Sequence, residues 1–273
     1  MNQKIRKIFI ISIIGICIFC INLAVFFKFT EKDKSINNNE ELIIDTVELA
    51  ENFNSIFDNK IDNQNNIVPA TLKKDTTKDI IYTFYTNQEQ KSDKYELNVS
   101  IPRININNNN TNNINKEIED VFYKKVENIL KEGQNKKTVY SVKYKAYIND
   151  NIISLIIISN IKEGNNSQRE IVKTYNYNFS SNQILGINQV LNYRELNNNM
   201  VQTKINNTIK ESARKATAYN ELGYNKYIRD INDSMYKVEN TKVFFLGEGK
   251  ALYIVYPYGN SNYTTELDLV IMW

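Results

Sequence analysis

The sequence predicts an α+β domain, a mostly antiparallel sheet with helices packed on it, preceded by one N-terminal transmembrane helix. Three observations lead there. Residues 8–27 are almost continuously apolar. Segments of alternating polarity come in runs, and two apolar stripes at helical spacing separate those runs. Strands in runs, then helices, then strands describe α+β order, whereas βαβ units would alternate one for one.

The first element is the membrane segment. Its twenty residues include only Ser12 and Asn22 as polar interruptions, and a spanning helix needs roughly 20 apolar residues. The exit Asn22-Leu23-Ala24-Val25-Phe26-Phe27 lacks a small-x-small cleavage site, so the segment reads as an uncleaved anchor. Lys4, Arg6 and Lys7 before it balance Lys28, Lys32 and Lys34 after it, so counting flanking cations leaves orientation tied. The short, acid-free tail 1–7 resembles a signal n-region and breaks the tie. It places the N-terminus in the cytoplasm and the large domain outside, in a single-pass protein of the cell membrane.

The net charge of +3 sits at that end of the chain. Residues 1–30 hold four of the 34 basic residues and no acid, which leaves 30 basic against 31 acidic residues beyond them. A near-neutral domain gives no push toward nucleic acid, which demands a basic surface. Cys17 and Cys20 both lie in the apolar run, so the outer domain has no disulfide and must be held by packing. Their C-x-x-C spacing inside lipid reads as two small apolar residues. The heavy use of Asn reads as codon bias.

Residues 28–75 form a spacer that carries an amphipathic helix, with Leu42, Ile43, Val47, Ala50, Phe53, Ile56 and Phe57 on one stripe. The domain proper spans 76–273, divisible into 76–185 and 186–273. Strands are predicted at 80–85 and 95–104, with Pro102 marking an edge or a bulge. A loop at 107–113 leads, with Asn113 as N-cap, into a helix whose stripe is Ile114, Ile118, Val121, Phe122, Val126, Ile129 and Leu130. Gly133 ends it. Tyr140, Val142, Tyr144, Ala146 and Ile148 alternate as a half-buried strand, and Asn149-Asp150-Asn151 turns the chain. The apolar run 152–158 is the central strand, paired with 171–179. A short irregular element at 184–191 precedes a long helix through Leu196, Met200, Ile205, Ile209 and Ala213. A second helix carries Tyr224, Tyr227, Ile228 and Ile231. Strands at 242–246, 251–256 and 266–272 close the chain, the first two joined at Gly247-Glu248-Gly249.

The chain has no His, which removes Ser-His-Asp and Cys-His hydrolases and His-ligated zinc. Gly247-Glu248-Gly249-Lys250 is not a phosphate loop, since Phe244 stands where the first Gly belongs and Ala251 replaces the Ser or Thr. Glu117, Glu119 and Asp120 at a helix start, and Asp230 with Asp233, are the carboxylates left for glycoside chemistry. Their first reading is a helix-dipole contact and a solvated face. No cofactor or metal is implied. The 18 tyrosines gather on or beside strands, where packing explains most of them. Tyr256 and Tyr258 with Tyr263, beside the Gly259-Asn260-Ser261-Asn262 loop, are the candidate ligand-binding residues because that position predicts partial exposure.

Several segments carry a family likeness. They are Val99-Ser100-Ile101-Pro102-Arg103-Ile104, Ile114-Asn115-Lys116-Glu117-Ile118, Ser141-Val142-Lys143-Tyr144 with Ile153-Ser154-Leu155, Lys173-Thr174-Tyr175-Asn176-Tyr177-Asn178, and Tyr256-Pro257-Tyr258. Their order resembles the extracytoplasmic domain of the RsiV/PdaC type, found in lysozyme-sensing anti-sigma factors and N-terminal to a peptidoglycan deacetylase domain. The resemblance implies an α+β envelope domain whose ligands are lysozyme-like proteins or peptidoglycan fragments. This chain departs from it at Gly164 to Arg169, where the family's His-containing turn is absent, and at Gly259-Asn260. It also has no deacetylase domain.

The functional expectation is therefore a membrane-anchored, non-enzymatic extracytoplasmic binding or sensing domain for a peptidoglycan fragment or a lysozyme-like protein. The alternatives are a carboxylate-based cell-wall hydrolase acting through Glu117 or Asp230, and an assembly subunit of an envelope complex.

Overall fold

The computed structural model describes residues 53, 55–57, 61–62, 68–131 and 136–273. The membrane segment 8–27, most of the spacer helix and Gly133 lie outside the described residues. Among the described residues no helix is long and apolar enough to cross a membrane. Residues 55–273 form one compact unit.

Its larger sheet contains β1 (Ile61–Asp62), β2 (Ile81–Lys91), β3 (Tyr95–Ile104), β4 (Thr138–Asn149), β5 (Ile152–Glu163), β6 (Arg169–Asn178) and β7 (Gln183–Ile184). The order is β2-β3-β4-β5-β6-β7, with β1 beside β4. Only β1/β4 and β3/β4 are parallel. Parallel neighbours cannot be joined by a hairpin, and the crossover from β3 to β4 is helical. It runs as α1 (Asn109–Ile118), a π turn (Glu119–Tyr123) and α2 (Lys124–Lys131). Ile114, Ile118, Phe122, Val126 and Ile129 all face the sheet and are buried. Four-residue spacing slips off one face of a 3.6-residue helix, and the wider π turn takes up the slip.

Pro102 lies opposite Thr83, where the β2/β3 register shifts between Thr83 and Tyr85. The β3/β4 pairing stops at Val99, so the proline's missing N–H costs no ladder bond. The helix starts earlier than the sequence predicts. Asn108, with Asn113 well inside, is the N-cap, its side chain accepting from the Asn110 N–H at 2.8 Å.

The second layer is a three-stranded antiparallel sheet of β8 (Phe244–Leu246), β9 (Leu252–Pro257) and β10 (Leu267–Met272). Helices α3 (Ile187–Tyr193) and α4 (Asn198–Glu221) share its core through Val190, Leu191, Val201, Ile205 and Ile209. A helix thus replaces the irregular element expected at 184–191. The first half of β5 is apolar apart from Ser154 because both faces are covered: Ile153, Leu155 and Ile157 meet the crossover helix side, while Ile152 joins the second core.

The outer edge of β8 is satisfied by side chains from the larger sheet. Thr174 Oγ1 accepts from the Phe244 N–H at 3.0 Å, and Asn176 Nδ2 donates to the Phe244 carbonyl at 2.8 Å. Ser154 Oγ accepts from the Leu246 N–H at 3.1 Å and donates to Asn176 Oδ1 at 2.7 Å. Asn149 Nδ2 donates to the carbonyls of Leu246 and Gly247. A buried strand edge without such partners would be strongly destabilising.

The helix expected over Tyr224, Tyr227, Ile228 and Ile231 is not formed. Gly223, at φ +88°, leaves the helical path after α4. The Lys226 N–H is taken by Asn220 Oδ1 and the Tyr227 N–H by Glu266 Oε1, so neither donor serves a helix.

Candidate functional site

A cleft of about 200 Å³ opens at one end of the larger sheet, beneath the crossover helix. Register explains its floor. Tyr140, Ile161 and Arg169 form one row across β4, β5 and β6, and Val142, Ser159 and Ile171 form the next row on the same face. Val121, Phe122 and Lys125 of the helix close one side, and Tyr263 stands at another.

Among the described residues three charged side chains line the cleft: Lys125, Glu163 and Arg169. Lys125 Nζ pairs with Glu163 Oε1 at 2.6 Å. Arg169 has no carboxylate partner among the described residues. Its Nε donates to the Gly259 carbonyl at 2.5 Å and its Nη2 to the Asn260 carbonyl at 3.0 Å. Its guanidinium also lies over the Tyr263 ring, 5.8 Å from the centroid. The Ser159 hydroxyl is buried and has no hydrogen-bond partner among the described residues. Its neighbour is the Tyr140 phenol, whose pKa burial raises and the serine hydroxyl lowers in part, without a hydrogen bond of good geometry between them.

The loop that carries Tyr263 is pinned to the edge of β6. Asn260 accepts from the Val172 N–H and donates to the Val172 carbonyl, both at 3.1 Å. The Glu170 N–H donates to the Thr264 carbonyl at 3.0 Å. Gly259 allows the approach, because a Cβ there would sit 1.9 Å from the Glu170 carbonyl oxygen. The Glu170 carboxyl is pushed up to about 7 by burial, which hydrogen bonding to Asn160 only partly offsets.

Of the three tyrosines singled out in the sequence, only Tyr263 is on the surface, at 61% exposure. Tyr256 and Tyr258 are 3% and 1% exposed, which overturns the expectation of partial exposure. The reason is the fold-back of the chain after β9. Tyr256 is edge-on to Tyr236 with centroids 5.0 Å apart, and Tyr258 stacks on Tyr227 at 4.3 Å. The Tyr258 hydroxyl donates to Asp268 Oδ2 and lies 2.9 Å from the Tyr236 hydroxyl. Arg229 forks onto both oxygens of Asp268 and reaches Glu266 at 3.0 Å. Burial disfavours its charge, but Asp268 outweighs that and the guanidinium pKa rises.

The candidate acids are not gathered in the cleft. Glu117 pairs with Lys173 at 3.3 Å. Asp230 is exposed and accepts from the Asn232 N–H, while Asp233 caps a 3₁₀ turn at Met235. Lys250, from the glycine-flanked turn, is held by Asp150 Oδ2 at 2.6 Å. Among the described residues no group of three or more His, Cys, Asp or Glu side chains could hold a metal ion. Sequence reasoning missed Ser159, Lys125, Glu163 and the role of Arg169. The one available signal was Ser159, the polar residue that ends the apolar run Leu155 to Ile158.

No family model and no curated protein matches the sequence. Among solved structures, the chain is distantly similar to a DUF3298 family protein from Pseudomonas aeruginosa PAO1, with 9% identity and a TM-score of 0.40, over 70% of this chain and 85% of that one. It is also similar to a member of the same family from Bacteroides fragilis NCTC 9343, with 11% identity and a TM-score of 0.35, over 64% of this chain and 80% of that one.

Proposed function

We propose that this chain is a membrane-anchored, extracytoplasmic binding domain for a cell-envelope ligand, without catalytic activity of its own, and that peptidoglycan fragments occupy the cleft. One observation carries the reading: an exposed aromatic, Tyr263, an Arg169 with no carboxylate partner and an unpartnered Ser159 hydroxyl converge on one concavity. Aromatic faces with a few convergent polar groups are the usual furniture of a small-ligand site. The size of the cleft favours a sugar fragment over a lysozyme-like protein. The apolar segment 8–27 supports the anchor, and the short basic tail supports an outward-facing domain. Against hydrolysis stands the fact that Glu163, already paired with Lys125, is the one carboxylate among the described residues that line the cleft. Glycoside hydrolysis uses two carboxyl groups about 5–10 Å apart. Calorimetric titration of the full-length chain with soluble peptidoglycan fragments tests the reading, lysozyme serving as the competing ligand. Saturable heat with the fragments and no new reducing ends is the expected result. Turnover of the glycan, or heat with lysozyme alone, overturns it.

A second reading has an observation of its own. Leu222, Tyr224, Ile228 and Ile231 are 52–71% exposed along one irregular stretch. Clustered exposed apolar side chains are a mark of association surfaces, which favours an assembly subunit. Sedimentation of the full-length chain distinguishes the two, since a monomer at micromolar concentration speaks against it.

A further inference from the structure

Beside the Lys125–Glu163 ion pair, the cleft holds donors that have no acceptor among the described residues. Arg169 spends Nε and Nη2 on the loop carbonyls of Gly259 and Asn260, which leaves Nη1 with no acceptor among the described residues. The Ser159 hydroxyl, 1% exposed, also has no acceptor. Lys125 adds a second cation, and the charge of Glu163 is met by it at 2.6 Å. The lining therefore offers unused donors and a surplus positive charge, with Phe122, Tyr140 and Ile161 as apolar surroundings. A buried donor without an acceptor is a standing cost that a ligand oxygen removes. A guanidinium held rigidly by two carbonyls keeps its free edge oriented, so little entropy is lost when it binds.

From this we infer that the cleft recognises a carboxylate, which accepts from Arg169 Nη1 and from the Ser159 hydroxyl while the body of the ligand lies against Tyr263. The inference rests on the cleft being the ligand site, and it narrows that site to acid-bearing sugars. Two amino sugars isolate the group. N-acetylmuramic acid is N-acetylglucosamine carrying an added lactyl ether with a free carboxylate.

The experiment is calorimetric titration of the full-length chain with each sugar, repeated with N-acetylmuramic acid amidated at the carboxyl. The acid sugar should bind on the order of tenfold more tightly than the other two, the usual return on a charge-assisted hydrogen bond. Ser159→Ala should cut that preference about three- to tenfold without lowering the melting temperature, because the hydroxyl has no protein partner to lose. Arg169→Gln should abolish the preference. Equal affinity for all three sugars overturns the carboxylate inference and leaves the cleft as a glycan site. No binding of any of them overturns both. A preference unchanged in Ser159→Ala and Arg169→Gln places the carboxylate elsewhere and also overturns the inference.

Discussion

The Tyr258 hydroxyl donates to Asp268, and through that carboxylate a tyrosine buried at the end of β9 is joined to Arg229, thirty-nine positions before Asp268 in the chain. The network closes the second core with charge. Its members are Tyr236, Tyr258, Asp268, Arg229 and Glu266. Tyr258→Phe should lower stability by about 1–3 kcal/mol, since a buried acceptor loses a donor. Arg229→Met should cost about 3–5 kcal/mol, because it strands a buried carboxylate. Urea unfolding of the two variants measures both, and an Arg229→Met protein as stable as the parent would show the cluster to be dispensable.

Gly259→Ala should destabilise the loop and weaken ligand binding together. The new Cβ would fall 1.9 Å from the Glu170 carbonyl oxygen and 2.5 Å from that of Thr264, both backbone atoms. Relief requires the loop to leave β6, which frees Arg169 and withdraws Tyr263. Amide hydrogen exchange at Val172 and Glu170 should rise in this variant and stay unchanged in the neighbouring Ser261→Ala.

Stability should fall as pH rises from about 4.5 to about 7. Burial holds the Glu170 carboxyl protonated up to about 7 in the folded protein, against an ordinary value of 4.5. Between those values the folded state binds more protons than the unfolded one, so deprotonation opposes folding. The contribution is complete below the lower value and lost above the higher, and amounts to about 3 kcal/mol at most. Glu170→Gln should flatten the profile and be more stable than the parent at pH 8. Thermal melts across the range decide it.

Tyr263→Ala should weaken fragment binding by about 1–3 kcal/mol and leave the melting temperature nearly unchanged, because the ring is exposed. Loss of the fold instead would assign that ring to packing.

External protease on cells with permeable walls should digest the domain, and carbonate washing should leave the protein in the membrane fraction. Full protection would reverse the orientation, and release by carbonate would remove the anchor.

Periodic burial was the legible part of this fold. The stripe from Ile114 to Ile129 and the closing strands appear where their spacing places them, whereas β4 alternates only as far as Tyr144 and is buried on both faces from there to Asn149. The same rule misled at Tyr224, Tyr227, Ile228 and Ile231, whose helical spacing is real but where the Lys226 and Tyr227 backbone donors are claimed by Asn220 and Glu266. One claim comes from the end of the preceding helix and the other from the residue just before β10, 39 positions away, and side-chain spacing registers neither. Tyr256 and Tyr258 failed as surface residues because closeness to a polar loop says nothing about which way the strand before it faces. Asp268 was the unread signal: it shares the buried face of β10 with Val270, and an acid there needs a cation. The Asn residues set aside as codon bias include Asn105, whose Nδ2 donates to three carbonyls, and Asn149, Asn176 and Asn260, which hold strand edges.

The side-chain pins on β8 also set an order of events. Thr174, Asn176, Ser154 and Asn149 reach their backbone partners across 68 to 98 residues of sequence. Such distant closures are slow to form, and a chain made from its N-terminus folds what it has. The larger sheet therefore emerges first, with its future inner face wet and its hydroxyls and amides bonded to water. The last third of the chain arrives as a lid that displaces that water. A ribosome-bound chain halted before Phe244 should consequently be soluble where an all-apolar face would aggregate, so the polar studs that lock the finished protein also shelter it while it is unfinished.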